Sequence, residues 1–279
     1  MNYSISSSAN IADAIAERFV GARLAAEALP AFPGTIPDSL DAAYRVQEAA
    51  IARWPDRVIG WKVGGIPPER REANGDERLV GPVFASGLRV VDGSGVVEFP
   101  VFTGGFAAIE AELVFRIARA TPPGKMHWTP REALDSANAL HIGIETAGSP
   151  LATINELGPR VVASDFGNNA GLLLGATIPD WRTGGFAPLT CISRIEGKEV
   201  GHGVVTAVDA VPAVALAFAL SRCARNGRPL RAGDLITTGA ITGIHDIVDG
   251  QSAEVEFVGL GAIRCRAVDA RAFARGGSR

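Results

Sequence analysis

The sequence predicts a β-rich α+β fold with an N-terminal helical appendage, on three observations. Gly and Pro supply 33 and 17 of the 279 residues, about 18% where a globular chain usually has ~12%, and punctuation that dense argues against a helix bundle. Hydrophobic residues make up 47% and charged residues 20%, enough to bury a substantial core and to exclude a disordered chain. The texture also changes at Val58, from Ala-rich segments with helical spacing to short apolar and β-branched runs bounded by Gly, Pro and Asp.

Ala9–Leu29 and Ser39–Trp54 carry apolar residues at helical spacing, with AFPGTIP between them as a turn. Strands are expected at RVIGWKVGG, GPVFASGLRVV, GVVEFP, IEAELVFRIA, NALHIGIETAG and NAGLLLGA. One helix interrupts them at Val211–Arg225, where Pro212 suits a first turn and Gly227 a C-terminal stop. LITTGAITGI, AEVEFVG and AIRCRAV close the chain as antiparallel strands, with turns at Asp249-Gly250 and Gly259-Leu260-Gly261. The expected organisation is a helical appendage over 1–55, a β-rich catalytic domain over 56–270 and a flexible tail over 271–279.

A net charge of −3 with no basic stripe gives no reason to expect nucleic acid or an anionic membrane as partner. Cys191, Cys223 and Cys265 have neither disulfide-framework nor zinc-knuckle spacing, and a reducing cytoplasm fits them best. The four His do not pair at ligand spacing, so any metal is expected to be a hard cation held by oxygen. The N-terminus has no secretory pattern. The most apolar stretch, Ala210–Ser221, is far short of the ~20 residues that span a bilayer and reads as a buried helix.

Within IEAELVFRI, Ile109, Ala111, Leu113, Phe115 and Ile117 share one face of a strand, while Glu110, Glu112, Val114 and Arg116 share the other. The two carboxylates then point the same way, roughly 6–7 Å apart at Cα. An isolated Glu-x-Glu of this kind is usually a solvated face, but like charges this close repel unless a cation lies between them. In LHIGIET, Glu145 likewise points away from its strand's apolar face, beside Gly143. Three such acids would suit an octahedral Mg²⁺ or Mn²⁺ with open positions. Lys62 lies between Gly60 and Gly64 on one strand face, with room for a ligand, as an anion binder or proton relay; its plainer reading is an edge-strand charge. Asp165 sits in a polar loop leading into an apolar strand, where a ligand-facing acid and a turn-forming one look alike. Thr237–Gly243 combines hydroxyls with flexible backbone that would cradle a carboxylate, and Gly64–Arg78 is a charged, turn-rich segment that reads as a surface loop or a lid.

Taken in order, IGWKVG, GPVFAS, IEAELVFRIA, HIGIETAGS, SDFGNNAGLLLG, GDLITTGAITG and GLGAIRCR resemble the fumarylacetoacetate hydrolase superfamily, over roughly residues 40–267. Within it they are similar to the branch of 2-keto-4-pentenoate hydratases and 4-oxalocrotonate decarboxylases. The resemblance implies a mixed β-roll, a homo-oligomer, and Mg²⁺ or Mn²⁺ bound by Glu110, Glu112 and Glu145, with Lys62 and Asp165 lining the pocket. The chain departs from the branch at Gly65-Ile66-Pro67, where a Thr-Ser pair is usual. It departs also at Asp165-Phe166, where Asp-Asn is usual, and at Pro150, where Arg is common. Each departure removes a polar group from substrate recognition.

The expected function is a hydratase adding water to a 2-hydroxy-dienoic or 2-oxo-alkenoic acid in aromatic catabolism. The cation would chelate the carboxylate and adjacent oxygen and stabilise the enolate. Lys62 would support the enolate oxygen or shuttle a proton, and Asp165 would act as base or position water. Gly64, Thr238 and Thr242 would hold the substrate. The alternatives are a decarboxylase of a 2-oxo dicarboxylate, a C–C hydrolase of an acylpyruvate and, more remotely, a non-catalytic binding or assembly partner.

Overall fold

A computed structural model describes residues 3–73, 75–93, 95–182 and 186–276. Two helices open the chain, α1 (Tyr3–Ala25) and α2 (Leu40–Arg53). The first begins and ends earlier than the sequence suggests; the second is capped by Ser39, whose side chain accepts from the Ala42 N–H. Strands β1 (Val58–Gly65), β2 (Arg78–Phe84), β3 (Leu88–Val90), β4 (Val96–Val101) and β5 (Phe106–Ile117) follow. Next come α3 (Pro130–Ser136), β6 (Ala137–Ser149), α4 (Ile154–Leu157), α5 (Pro159–Ser164) and β7 (Asn169–Thr177). The chain continues through β8 (Leu189–Ile195), β9 (Lys198–Val205), α6 (Val211–Arg225), β10 (Leu235–Thr237) and β11 (His245–Asp246). It ends with β12 (Ser252–Phe257), β13 (Gly261–Asp269) and α7 (Ala270–Gly276).

The α6 helix has the bounds the sequence predicts, whereas α3, α4 and α5 were not expected. Thr129 and Glu132 form a reciprocal capping box at α3, a signature present in TPRE. Part of the stretch expected as a flexible tail is α7, and residues 277–279 lie outside the described residues.

The strands form two sheets. One has the order β2-β1-β10-β5-β6-β7-β3, with β11 also on β5; the other runs β4-β13-β12-β8-β9. The three-residue β10 lies between β1 and β5, parallel to β1 and antiparallel to β5, so the loop after it emerges between Lys62 and the Glu-x-Glu strand. The odd-numbered face of β5 packs into a core that both sheets share with Val255, Phe257 and Ile263. Ile15, Phe19, Tyr44 and Val46 of the N-terminal helices belong to that same core. Each such side chain contributes roughly 1.5–3 kcal/mol on burial. The even-numbered face of β5 is buried too: Val114 meets Val83, Leu172, Leu174 and Leu235 in a smaller cluster. The glutamates therefore lie on a covered face, not a solvated one.

Candidate metal centre and substrate cavity

Antiparallel pairing of β5 with β6 sets Glu110 directly opposite Glu145 and Glu112 opposite Gly143. Like charges facing each other across a ladder destabilise it unless something neutralises them. All three glutamates are buried, Glu112 and Glu145 with no exposed surface, and one carboxylate oxygen from each lies within 4.8 Å of the other two.

Each acid leaves one oxygen open. Glu112 Oε2 accepts the backbone N–H groups of Thr238 and Gly239, both at 2.6 Å, while its Oε1 has no hydrogen-bond partner. Glu145 Oε1 accepts from Asn169 Nδ2 at 3.2 Å and pairs with Lys62 Nζ at 3.2 Å, while its Oε2 has none. Glu110 Oε1 is also without a partner. Three converging, buried carboxyl oxygens without partners are costly in themselves, and they match the all-oxygen donor set of a hard divalent cation. Burial, the repulsion of Glu145 and the opposing pull of Lys62 leave the Glu110 carboxyl at about 7. Burial and the other two acids hold Glu112 well above the carboxylate range. Burial would lower the Lys62 ammonium, but Glu145, Glu110 and Glu112 outweigh that and hold it above its ordinary value. Lys62 is thus a fixed cation here.

Lys62 also donates to Asn168 Oδ1 at 3.1 Å, and Asn168 Nδ2 donates to Asn155 Oδ1 at 3.0 Å. Asn168 ends a left-handed turn in which Phe166, Gly167 and Asn168 have φ of 54°, 62° and 57°. For a non-glycine residue that conformation costs about 1–2 kcal/mol. Contacts on the Phe166 ring help hold it, with Phe84 at 4.9 Å, Trp54 at 5.6 Å and the Arg23 guanidinium at 5.1 Å. Gly81 of β2 passes directly beneath, where a Cβ would overlap the Phe166 carbonyl.

Lys62, Gly64, Glu110 and Thr238 line one cavity of about 600 Å³, together with Asn155 and Asn168. Its remaining wall includes Ile66, Leu79, Val162, Val211 and Ile244, with Arg70 and Arg78. Glu112 and Glu145 join this group through the carboxylate cluster. The other two expected residues do not line the cavity. Asp165 turns away from it: Oδ1 takes Arg23 Nε at 2.5 Å and Oδ2 takes Ser149 Oγ at 2.6 Å, so a general-base role at the substrate does not fit its position. Thr242 Oγ1 bonds to Ser193 Oγ at 2.8 Å and His245 Nε2 at 3.1 Å. The expected carboxylate cradle also differs, since the Thr238 and Gly239 amides grip Glu112 and the Thr238 hydroxyl donates to the Leu113 carbonyl. Of the glycines read as clearing space, only Gly64 does so beside Lys62. Gly60 admits the backbone of Leu235, and Gly143 admits Val114 and the Leu173 carbonyl.

The Gly64–Arg78 segment roofs the cavity in a tethered state; its Asn74 lies outside the described residues. A short 3₁₀ turn, Pro68–Arg70, places Arg70 Nη1 to donate to the carbonyls of Asn155 at 2.9 Å and Glu156 at 3.0 Å. Glu72 Oε1 accepts from the Leu40 N–H, and Asp76 pairs with Arg222. Arg23, Arg70, Asn155, Asn168 and Asn169 are the site's polar residues that sequence reasoning missed. Asn168 and Asn169 stand within the SDFGNN block already singled out for Asp165 and Arg70 within the Gly64–Arg78 segment, whereas Asn155 lies outside every motif and Arg23 shows only ordinary helical spacing.

The chain is 25% identical over 258 residues to a 4-oxalocrotonate decarboxylase from Pseudomonas sp, covering 89% of this chain and 95% of that one. It is 28% identical over 237 residues to a 2-keto-4-pentenoate hydratase from Paraburkholderia xenovorans (strain LB400), covering 82% and 85%. In fold it is similar to 4-oxalocrotonate decarboxylase from Pseudomonas putida G7, solved with magnesium and adipate. The TM-score there is 0.73 at 20% identity, over 92% of this chain and 97% of that one. Residues 89–268, well over half the sequence, match the family model described as Fumarylacetoacetate (FAA) hydrolase C-terminal, and the chain belongs to that family.

Proposed function

We propose that this chain is a divalent-cation-dependent enzyme acting on a 2-oxo acid, a hydratase that adds water to a 2-hydroxy-dienoic or 2-oxo-alkenoic acid in aromatic catabolism. The observation that carries the reading is the trio of buried glutamates, each with an oxygen lacking a partner, beside a fixed lysine on a cavity wall. Relatives named hydratase and decarboxylase, and a neighbour of similar fold holding magnesium, support it. Glu110, Glu112 and Glu145 would hold Mg²⁺ or Mn²⁺, which supplies Lewis-acid stabilisation to the developing enolate.

The chain's own residues do the rest. Lys62 Nζ, kept protonated by the acids around it, donates to a substrate oxygen and favours its anionic form; it is too strong a cation to serve as base. Asn168 holds that ammonium in place, and Asn155 holds Asn168. Ile66, Leu79, Val162, Val211 and Ile244 take the substrate's carbon skeleton and exclude bulk water. We further propose a cytoplasmic homo-oligomer; the three free, buried cysteines accord with a reducing compartment.

A second reading, decarboxylation of a 2-oxo dicarboxylate, is favoured by Arg70 and Arg78 on the same cavity wall, since two cations there would balance a second carboxylate. Both are tested by adding enzyme and Mg²⁺ to a 2-hydroxy-dienoate and to its dicarboxylate analogue. Loss of the dienol's ultraviolet absorbance without CO₂ supports hydration, and CO₂ release supports decarboxylation. Absorbance that persists with every dienoate argues against both.

A further inference from the structure

We propose that Arg23, on the N-terminal helix and outside the family-matched residues, is a positioning residue for the cation and substrate site. This rests on reading the three glutamates as cation ligands. Arg23 is buried and uses its whole guanidinium fork across a gap. On one side Nη2 donates to the Gly148 carbonyl of β6 at 2.9 Å, on the strand that carries Glu145. On the other, Nε donates to Asp165 Oδ1 at 2.5 Å, Nη2 to the Asp165 carbonyl at 3.3 Å and Nη1 to the Asn169 carbonyl at 3.1 Å. Arg23 thus clasps both ends of the left-handed turn and fixes it against β6.

The residues so held act on the site. Asn169 gives its side-chain amide to Glu145 Oε1, and Asn168, one residue earlier, accepts from Lys62 Nζ. Ser149, the next residue after Gly148 on β6, closes the clasp by donating to Asp165 Oδ2. The turn cannot hold its shape alone, because two of its three left-handed residues carry side chains. Arg23 and Asp165 thereby set the direction of the open Glu145 oxygen and the place of the Lys62 ammonium. Partners one step removed from a metal ligand typically change its affinity 10–100-fold when lost.

The test is Mn²⁺ titration of the full chain, by electron paramagnetic resonance of the free ion, alongside thermal melting, for the wild type and Arg23→Lys. Lysine keeps a cation at Asp165 but cannot also reach the Asn169 and Gly148 carbonyls. The expected result is a folded variant whose Mn²⁺ dissociation constant rises about tenfold. A purely structural ion pair would instead leave Mn²⁺ affinity unchanged in a folded Arg23→Lys protein, and that outcome overturns the proposal. Should Arg23→Lys fail to fold, the double variant Arg23→Met/Asp165→Leu removes both charges at similar volume. It must show the same loss, and unchanged Mn²⁺ affinity there equally overturns the proposal. Wild-type protein that binds no Mn²⁺ overturns the reading of the glutamates, and this inference with it.

Discussion

Replacing Glu110 by glutamine should stabilise the metal-free protein while removing its response to metal. The carboxyl has an ordinary value of 4.5 and is pushed to about 7 in the fold, chiefly by burial. Between those values the folded state keeps a proton that the unfolded state has lost, so stability falls as pH rises through the window. The slope is about 1.4 kcal/mol per pH unit, so by pH 8 the loss is on the order of 3 kcal/mol. Glutamine carries no charge and escapes that loss. With a chelator present, Glu110→Gln should therefore exceed the wild type by on the order of 3 kcal/mol at pH 8, and by under about 1 kcal/mol at pH 5. Metal should close that gap at pH 8: at a hundredfold excess over its dissociation constant it adds about 2.7 kcal/mol to the wild type and nothing to the variant. Urea unfolding at both pH values, with EDTA and with Mn²⁺, measures all of this. A variant less stable than wild type at pH 8 in EDTA, or one still stabilised by Mn²⁺, would refute the reasoning.

Lys62→Met leaves the buried acids without their counter-charge and should cost the metal-free protein about 3–5 kcal/mol, with added Mn²⁺ recovering part of the loss in melting experiments. Gly81→Ala forces a Cβ onto the Phe166 carbonyl; moving the turn should cost about 3 kcal/mol by urea unfolding and weaken Mn²⁺ binding, because Asn168 and Asn169 move with it. Arg70→Ala unties the cavity roof from α4 and should lower stability by no more than about 1 kcal/mol, while steady-state kinetics show KM rising with kcat held.

Alternation in the Glu-x-Glu strand and in LHIGIET was enough to put Glu110, Glu112 and Glu145 on the same sides of their strands, because side-chain period is a local property of extended backbone. Their burial was not legible. It depends on β5 being covered on both faces, with Val114 meeting Val83 and Leu172 from distant segments. Asp165 shows the limit most clearly: an acid beside Phe-Gly-Asn-Asn in a polar loop looks the same whether it faces a ligand or an arginine 142 residues away. Its partner, Arg23, occupies an ordinary helical position, and only packing reveals the pair. The left-handed Phe166 could not be foreseen either, since an aromatic residue has no propensity for that conformation and holds it here through contacts with Trp54, Phe84 and Arg23. The departures around Pro150 and Phe166 suggested a site stripped of polar groups. Yet Asn155 and Asn168 reach the cavity, and the Arg23 guanidinium reaches the Gly148 carbonyl beside Ser149-Pro150.

The most direct measurement is anomalous diffraction from crystals soaked with Mn²⁺ and a 2-oxo acid such as pyruvate. One Mn²⁺ per chain bound by Glu110, Glu112 and Glu145, with the acid's oxygen within hydrogen-bond reach of Lys62 Nζ, is the predicted result. A cluster that stays metal-free at saturating Mn²⁺, its carboxylates bonded to one another through shared protons, would contradict it.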